Sequence, residues 1–392
     1  MIRVQTQSLK NGMKVAKPIY DIDEKLLIGR GVILNEDYIQ KLKDLHVSSL
    51  FIHEENTDDI IPYENISHIL RDTTISHLKN LFQSIEDIKK ELYDNSTNVN
   101  IDIVSTEKFN PVFLKNSLME KINDDIIQII NQLINREMMI GLTPVKTDNN
   151  YKFEHLVDVA IVSIMIGLQM GLSSNKLHEL GIGCLLHDIG EIFIPHDILN
   201  KPSKLNPHEI AQIQNHPLIG YTLLKEIPGI GIIPAQVALQ HHEKQDGTGY
   251  PHRLHGQNKV VQTQDTKVIH TFGSIAAVAE IYDALSSDRA YRKAFLREKV
   301  IELMQDMTDK NLNREILGKF LKITPKYPEG TIIRLKSRDY NNHLCVVTDI
   351  NMFKLDRPKI RLIYNPEGKL VAPIDINLVN IDEDDMEIES FT

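Results

Sequence analysis

Short apolar runs ("KVAKPIY", "LLIGRGVIL", "VSSLFIH") alternate with turn residues over residues 1–65, and "NEDYIQKLKDL" supplies one helix, a pattern that predicts a small N-terminal α+β module. From 66 to 144 the apolar positions recur at every third or fourth residue, in "ISHILRDTTISHLKNLFQSIEDIKKEL" and "EKINDDIIQIINQLINREMM". This predicts helices on either side of the polar "DNSTNVN", a connector with a face for homodimerisation. Residues 145–305 read as a helical block and 306–325 as a helical linker. After "YPEGT" (327–331) the period returns to two in "TIIRL", "HLCVVTDI" and "KIRLIYN", so 326–383 is expected to be a small β-barrel-like module, followed by an acidic tail at 384–392. The fold class is therefore mainly α, a helical bundle between two small strand-containing modules. No repeat of 20 to 50 residues is present.

The longest apolar run, "LVDVAIVSIMIGLQMGL" (156–172), carries Asp158 near its start and Gln169 near its end and is short for a membrane span, so it is expected to be a buried core helix. The chain has 44 Lys and Arg against 54 Asp and Glu, a formal charge of −10. That balance argues against duplex nucleic acid as a partner and requires any anionic ligand to be held by local cations or metals. Two cysteines, Cys184 and Cys345, make no disulfide framework, and the first twenty residues lack an apolar signal core; the expected location is cytoplasmic.

Of 16 histidines, 11 fall between residues 150 and 270. Most sit in polar settings. His155 instead opens the apolar helix, and His187 with Asp188 closes the next one. His216 lies in "NPHEIAQIQNHPLIGYTLLKEI", whose Asn206, Pro207 and Glu209 mark a helix start, while His241 and His242 end a helix begun near Pro234. Five imidazoles and a carboxylate buried in one apolar bundle carry a heavy desolvation cost, which divalent metals relieve. Nitrogen and oxygen donors without thiolate suit Fe, Mn, Co or Zn, and a carboxylate that bridges two ions explains an Asp directly after a His ligand.

The segments "HDIGEIFIPHDILNKPSKLN", "HPLIGYTLLKEIPG", "HHEKQDGTGYP" and "IYDALSSDRAYRKAF", in this order, resemble an HD-GYP domain, the branch of the HD metal-dependent phosphohydrolases that cleaves cyclic di-GMP. The resemblance covers 145–305. It implies an HD-type helical bundle and two divalent ions, Fe or Mn, one held by His155, His187, Asp188 and Glu280 and the other by Asp188, His216, His241 and His242. It further implies a loop of Gly249, Tyr250 and Pro251 beside the substrate, a role for Asp283 behind the ligands or facing substrate, and phosphate contacts from Arg289 and Arg292. Hydrolysis would give linear pGpG, or continue to GMP. Two paired ions would activate a water and neutralise phosphoryl oxygens.

Four positions depart from that pattern. Glu191 replaces the lysine of "HDIGK", so an anion is expected over the cavity mouth, free of metal and repelling the substrate phosphate. Glu280 replaces an aspartate, "NKVVQTQDTKVIHTF" lengthens a loop, and Tyr151 stands where three-metal members carry a glutamate, which favours two ions. The first two keep an alternative open: a catalytically weak or inactive domain acting as a cyclic di-GMP receptor or protein-interaction module.

Overall fold

The computed structural model describes residues 1–392 apart from 21–25, 46, 48, 62–63, 93–108, 110–116, 137, 139–150, 202, 226, 228, 261–266, 288–291, 293, 383–385 and 391–392. Strands β1 (Ile2–Gln5), β2 (Lys14–Val15), β3 (Ile19–Tyr20) and β4 (Leu26–Ile28), helix α1 (Glu36–Asp44) and strand β5 (Ser49–His53) build the N-terminal module. The Asn35 side chain accepts the Tyr38 N–H at 2.8 Å and starts α1, which buries Ile39 and Leu42. Strand β5 lies between β1 and β2, antiparallel to both, and β3 pairs with β4.

The helical body follows in the order α2 (His68–Leu92), α3 (Leu118–Leu133), α4 (Tyr151–Gln169), α5 (Ser174–Leu185), α6 (His196–Leu199), α7 (Pro207–Ile213), α8 (His216–Leu224), α9 (Ile232–Gln240), α10 (Thr271–Ser286), α11 (Arg297–Asp306) and α12 (Arg314–Leu321). A full capping box, Asn206 with Glu209, starts α7. Every residue of α4 from Glu154 to Gly167 is buried, because α5 and α10 pack on it. That is why its sequence is apolar all round. The stretch expected as a connector does not stand apart from this body: Leu78, Leu81 and Ile85 of α2 and Ile122, Ile126 and Ile129 of α3 are fully buried in the same core as α4. Asp158, the charge inside the apolar run, finds its partner there, 2.8 Å from Arg71 of α2, with their side chains 0% and 9% exposed. A buried carboxylate in such a run needs a cation, and α2 brings one.

The C-terminal strands β6 (Ile332–Ser337), β7 (His343–Asp349), β8 (Lys359–Tyr364), β9 (Leu370–Asn377) and β10 (Met386–Ser390) form one antiparallel sheet in the order β10-β6-β7-β8-β9. The expected barrel is thus an open sheet whose edges are β9 and β10. Pro373, which has no N–H to donate, suits the edge position of β9. Alternation along β7 and β8 gives the sheet two buried faces: Cys345, Val347 and Leu362 pack locally, whereas Val346 and Ile363 join the core of the N-terminal module with Ile2, Val4, Leu50 and Ile52. The joint is also polar. Arg361 pairs with Asp59 and Asp375, Tyr364 donates to Glu54 at 2.6 Å, and the Arg3 N–H reaches the Gly330 carbonyl at 3.0 Å.

Candidate metal centre

Five helix ends and turns converge on one cavity. His155 lies one turn into α4, and His187 and Asp188 follow the end of α5, just before a 3₁₀ turn at Ile189–Phe193. His216 is the first residue of α8, His241 and His242 follow the end of α9, and Glu280 faces them from α10. The turn after Asp188 packs directly on the start of α8: a Cβ at Gly190 would stand 2.1 Å from the His216 carbonyl oxygen. Only glycine permits that approach, which sets Asp188 against His216.

Asp188 uses both oxygens. Its Oδ2 lies 3.3 Å from His187 Nε2 and 3.8 Å from His155 Nε2, and its Oδ1 lies 3.3 Å from His216 Nε2 and 3.5 Å from His241 Nε2. Glu280 Oε2 closes the first group, 3.1 Å from His155 Nε2 and 3.3 Å from His187 Nε2. His242, half-buried, closes the second, its ring centroid 4.1 Å from that of His241 and 5.1 Å from that of His216. Behind four of the rings the outer nitrogen is occupied. Nδ1 of His187 meets the Cys184 carbonyl at 2.7 Å, that of His216 the Ile213 carbonyl at 2.7 Å, that of His241 the Ala238 carbonyl at 2.9 Å, and that of His155 the Asp283 carboxylate at 2.7 Å. An Nδ1–H donated to a carbonyl leaves the Nε2 lone pair aimed inward, the tautomer a metal ligand needs.

Burial acts first on every titrating group here, and local charge then decides the direction. For His155 the burial that would lower its pKa is overcome by Glu280 and Asp283, which raise it to about 9. His187 is raised well above the ordinary value by Asp188 and Glu280 against the same burial, and His216 is raised by Asp188. Burial together with neighbouring imidazoles lowers His241, and lowers His242 strongly. Asp188 and Glu280 fall well below the carboxylate range because the attraction of adjacent rings outweighs their desolvation.

The donor set fits divalent cations. His187 Nε2 and Glu280 Oε2 are both buried, face each other, and have no hydrogen-bond partner. A cation between such groups supplies what the protein withholds. The donors fall into two overlapping groups, His155, His187 and Asp188, and Asp188, His216, His241 and His242.

Around the mouth, the Tyr250 ring lies 4.6 Å from that of His242 at an interplanar angle of 30°. A Cβ at Gly249 would meet the Lys244 backbone nitrogen at 2.4 Å, and Pro251 continues the loop, half-buried. Glu243, which the sequence reading passed over, pins this loop by accepting the His252 and Leu254 N–H groups at 2.7 and 2.8 Å. Its only sequence signal is a carboxylate directly after the histidine pair. Asp283, expected behind the ligands or facing substrate, is 0% exposed and lies behind His155, its Oδ2 2.7 Å from Nδ1 of that ring. Arg292 donates to the Ala284 and Leu285 carbonyls at the end of α10 and stacks 4.4 Å over Phe295. Arg289 lies outside the described residues. Glu191 is not the free anion expected: its Oε2 is 3.0 Å from the Lys152 ammonium, which also sits 5.0 Å over the Phe82 ring. The expectation failed because Lys152 precedes Glu191 by more than thirty residues and reaches it only through the packing of α4.

Among the described residues, no helix is long and apolar enough to cross a membrane. Residues 133–316 match the family model described as an HD domain. A cyclic di-GMP phosphodiesterase of Pseudomonas aeruginosa is 30% identical over 256 residues, 65% of this chain and 57% of its own. One of Borreliella burgdorferi is 30% identical over 227 residues, 58% of this chain and 55% of its own. A 3′3′-cGAMP-specific phosphodiesterase of Vibrio cholerae is 32% identical over 149 residues, 38% and 27% of the two chains. The chain thus spans about half the length of the first two relatives.

Proposed function

We propose, on the match of residues 133–316 to the HD domain model, that the chain is a metal-dependent phosphodiesterase that opens cyclic di-GMP to linear pGpG. The observation that carries the reading is Asp188, whose two oxygens face two separate sets of imidazole nitrogens. His155, His187, Asp188 and Glu280 would hold one divalent ion, and Asp188, His216, His241 and His242 a second, Fe or Mn. Such ions act as Lewis acids on a phosphodiester and lower the pKa of water. The chain's own groups do the placing. Asp283 fixes the ring of His155, while the carbonyls at Cys184, Ile213 and Ala238 fix the other three. Burial, with Asp188 and Glu280 nearby, raises the Tyr250 phenol, so its hydroxyl stays protonated and can donate to a phosphate oxygen. Arg289 is retained as a phosphate contact. Arg292 instead holds the end of α10 from which Arg289 follows.

The test is incubation of the purified chain with Fe(II) under anaerobic conditions, or with Mn(II), and with cyclic di-GMP and 3′3′-cGAMP in parallel, the products separated by chromatography. Linear pGpG from cyclic di-GMP, absent after chelation, is the expected result. Cleavage of 3′3′-cGAMP alone would change the substrate. Tight binding without cleavage under both metals would overturn catalysis in favour of a receptor, the reading that Glu191 at the mouth first suggested.

A further inference from the structure

A dianionic substrate entering a protein of net charge −10 needs a cation at the mouth, and the structure narrows the choice. The Asp188 and Glu280 carboxylates line the cavity. Lys89 of α2 is hydrogen-bonded to the Ile192 carbonyl at 2.7 Å, and Arg292 to two carbonyls of α10, partners that cannot leave without opening a turn or a helix end. Lys152 differs. It lies three residues before His155, hence on the same side of α4 and one turn closer to the mouth. Its partner is a side chain, Glu191, in an ion pair whose members are 33% and 23% exposed. A pair so hydrated is weak, so the ammonium can turn toward an arriving phosphate at little cost.

The Glu191 N–H donates to the Asp188 carbonyl at 3.0 Å, which sets residue 191 in the same turn as Asp188. The Phe82 ring, 5.0 Å from Lys152 Nζ, holds the ammonium from the other side.

We propose that Lys152 takes a substrate phosphate at the mouth, alongside Arg289, and that Glu191 positions it. This rests on the cyclic dinucleotide reading above. The full chain, loaded with Mn(II), is titrated calorimetrically with the bis-phosphorothioate analogue of cyclic di-GMP. Lys152→Gln is expected to weaken binding by about tenfold or more, the loss of one charge-assisted hydrogen bond, with Lys152→Arg retaining most of the affinity. Glu191→Gln is expected to weaken it less, raising KM for cyclic di-GMP more than it lowers kcat, with metal content and melting temperature at wild-type values. Wild-type affinity in Lys152→Gln, or tighter binding in Glu191→Gln, would overturn the assignment. A wild-type chain that holds Mn(II) but ignores the analogue would bring down the phosphodiesterase reading itself, and this inference with it.

Discussion

The two sides of Asp188 hold histidines in opposite electrostatic settings. On the side of His155 and His187, carboxylates surround the rings: Glu280 lies in front and Asp283 behind, and both imidazoles are biased toward the protonated form. On the other side imidazole meets imidazole, with His216 Nε2 3.2 Å from His241 Nε2, and His241 and His242 are biased toward the neutral form. One aspartate joins a half whose two rings must both shed protons to take a cation to a half in which His216 alone is raised, by Asp188, while His241 and His242 already offer neutral nitrogen. Metal affinity in the carboxylate-rich half should therefore rise with pH more steeply than in the histidine-rich half.

The harshest way to break the contrast is to remove what the halves share. Asp188→Asn takes a charged ligand from both, so bound metal is expected to fall from about two ions per chain toward none, with phosphodiesterase activity lost; elemental analysis that still finds two ions would show that Asp188 is no bridge. A milder change tests the halves separately. Asp283→Asn should weaken metal binding by about 10- to 100-fold at the His155 side only, since it alters the group orienting that ring. Competition with a chelator would then show one weak and one unchanged site, and equal weakening of both would deny the division.

The smallest effect is the pH profile of the metal-free chain. His155 has its pKa raised to about 9 from an ordinary 6.5, so the stability it contributes is complete below about 6.5 and is lost as pH rises through 9. His241 and His242 are lowered, so below about 6.5 the unfolded chain binds more protons than the folded one and stability falls as pH drops. Urea unfolding of the metal-free protein is expected to trace a dome with its top near pH 6.5, flattened by Mn(II). A profile that climbs steadily from pH 6.5 to 9 would contradict the carboxylate-rich half.

The ligand set was legible because polar residues inside apolar helices have few bland explanations. His155, His187, Asp188, His216, His241 and His242 all stood out on that ground, and all meet in one cavity. Glu280 and Asp283 came with the resemblance, and their spacing of three on α10 explains how one reaches the front of His155 and the other its back. What could not be read was pairing across distance. Asp158 announced a need for a cation without naming Arg71, and Glu191 announced an anion without naming Lys152, because both partners are delivered by helix packing. The C-terminal strands were readable one by one from their period of two. Their arrangement as an open sheet, with one face given to the N-terminal module, depends on contacts nearly three hundred residues apart, which leave no local trace.

That shared core has a consequence in time. Ile2, Val4, Leu50 and Ile52 need Val346 and Ile363 to finish covering them, and Val346 leaves the ribosome 286 residues after Ile60. At synthesis rates of about 5–20 residues per second, the nascent N-terminal module waits roughly 15–60 s with part of its apolar face uncovered. During that interval the whole metal-binding body is made and can fold. The module is thus made before the metal-binding body yet completed only after it, which leaves part of its apolar face open to chaperones for that interval.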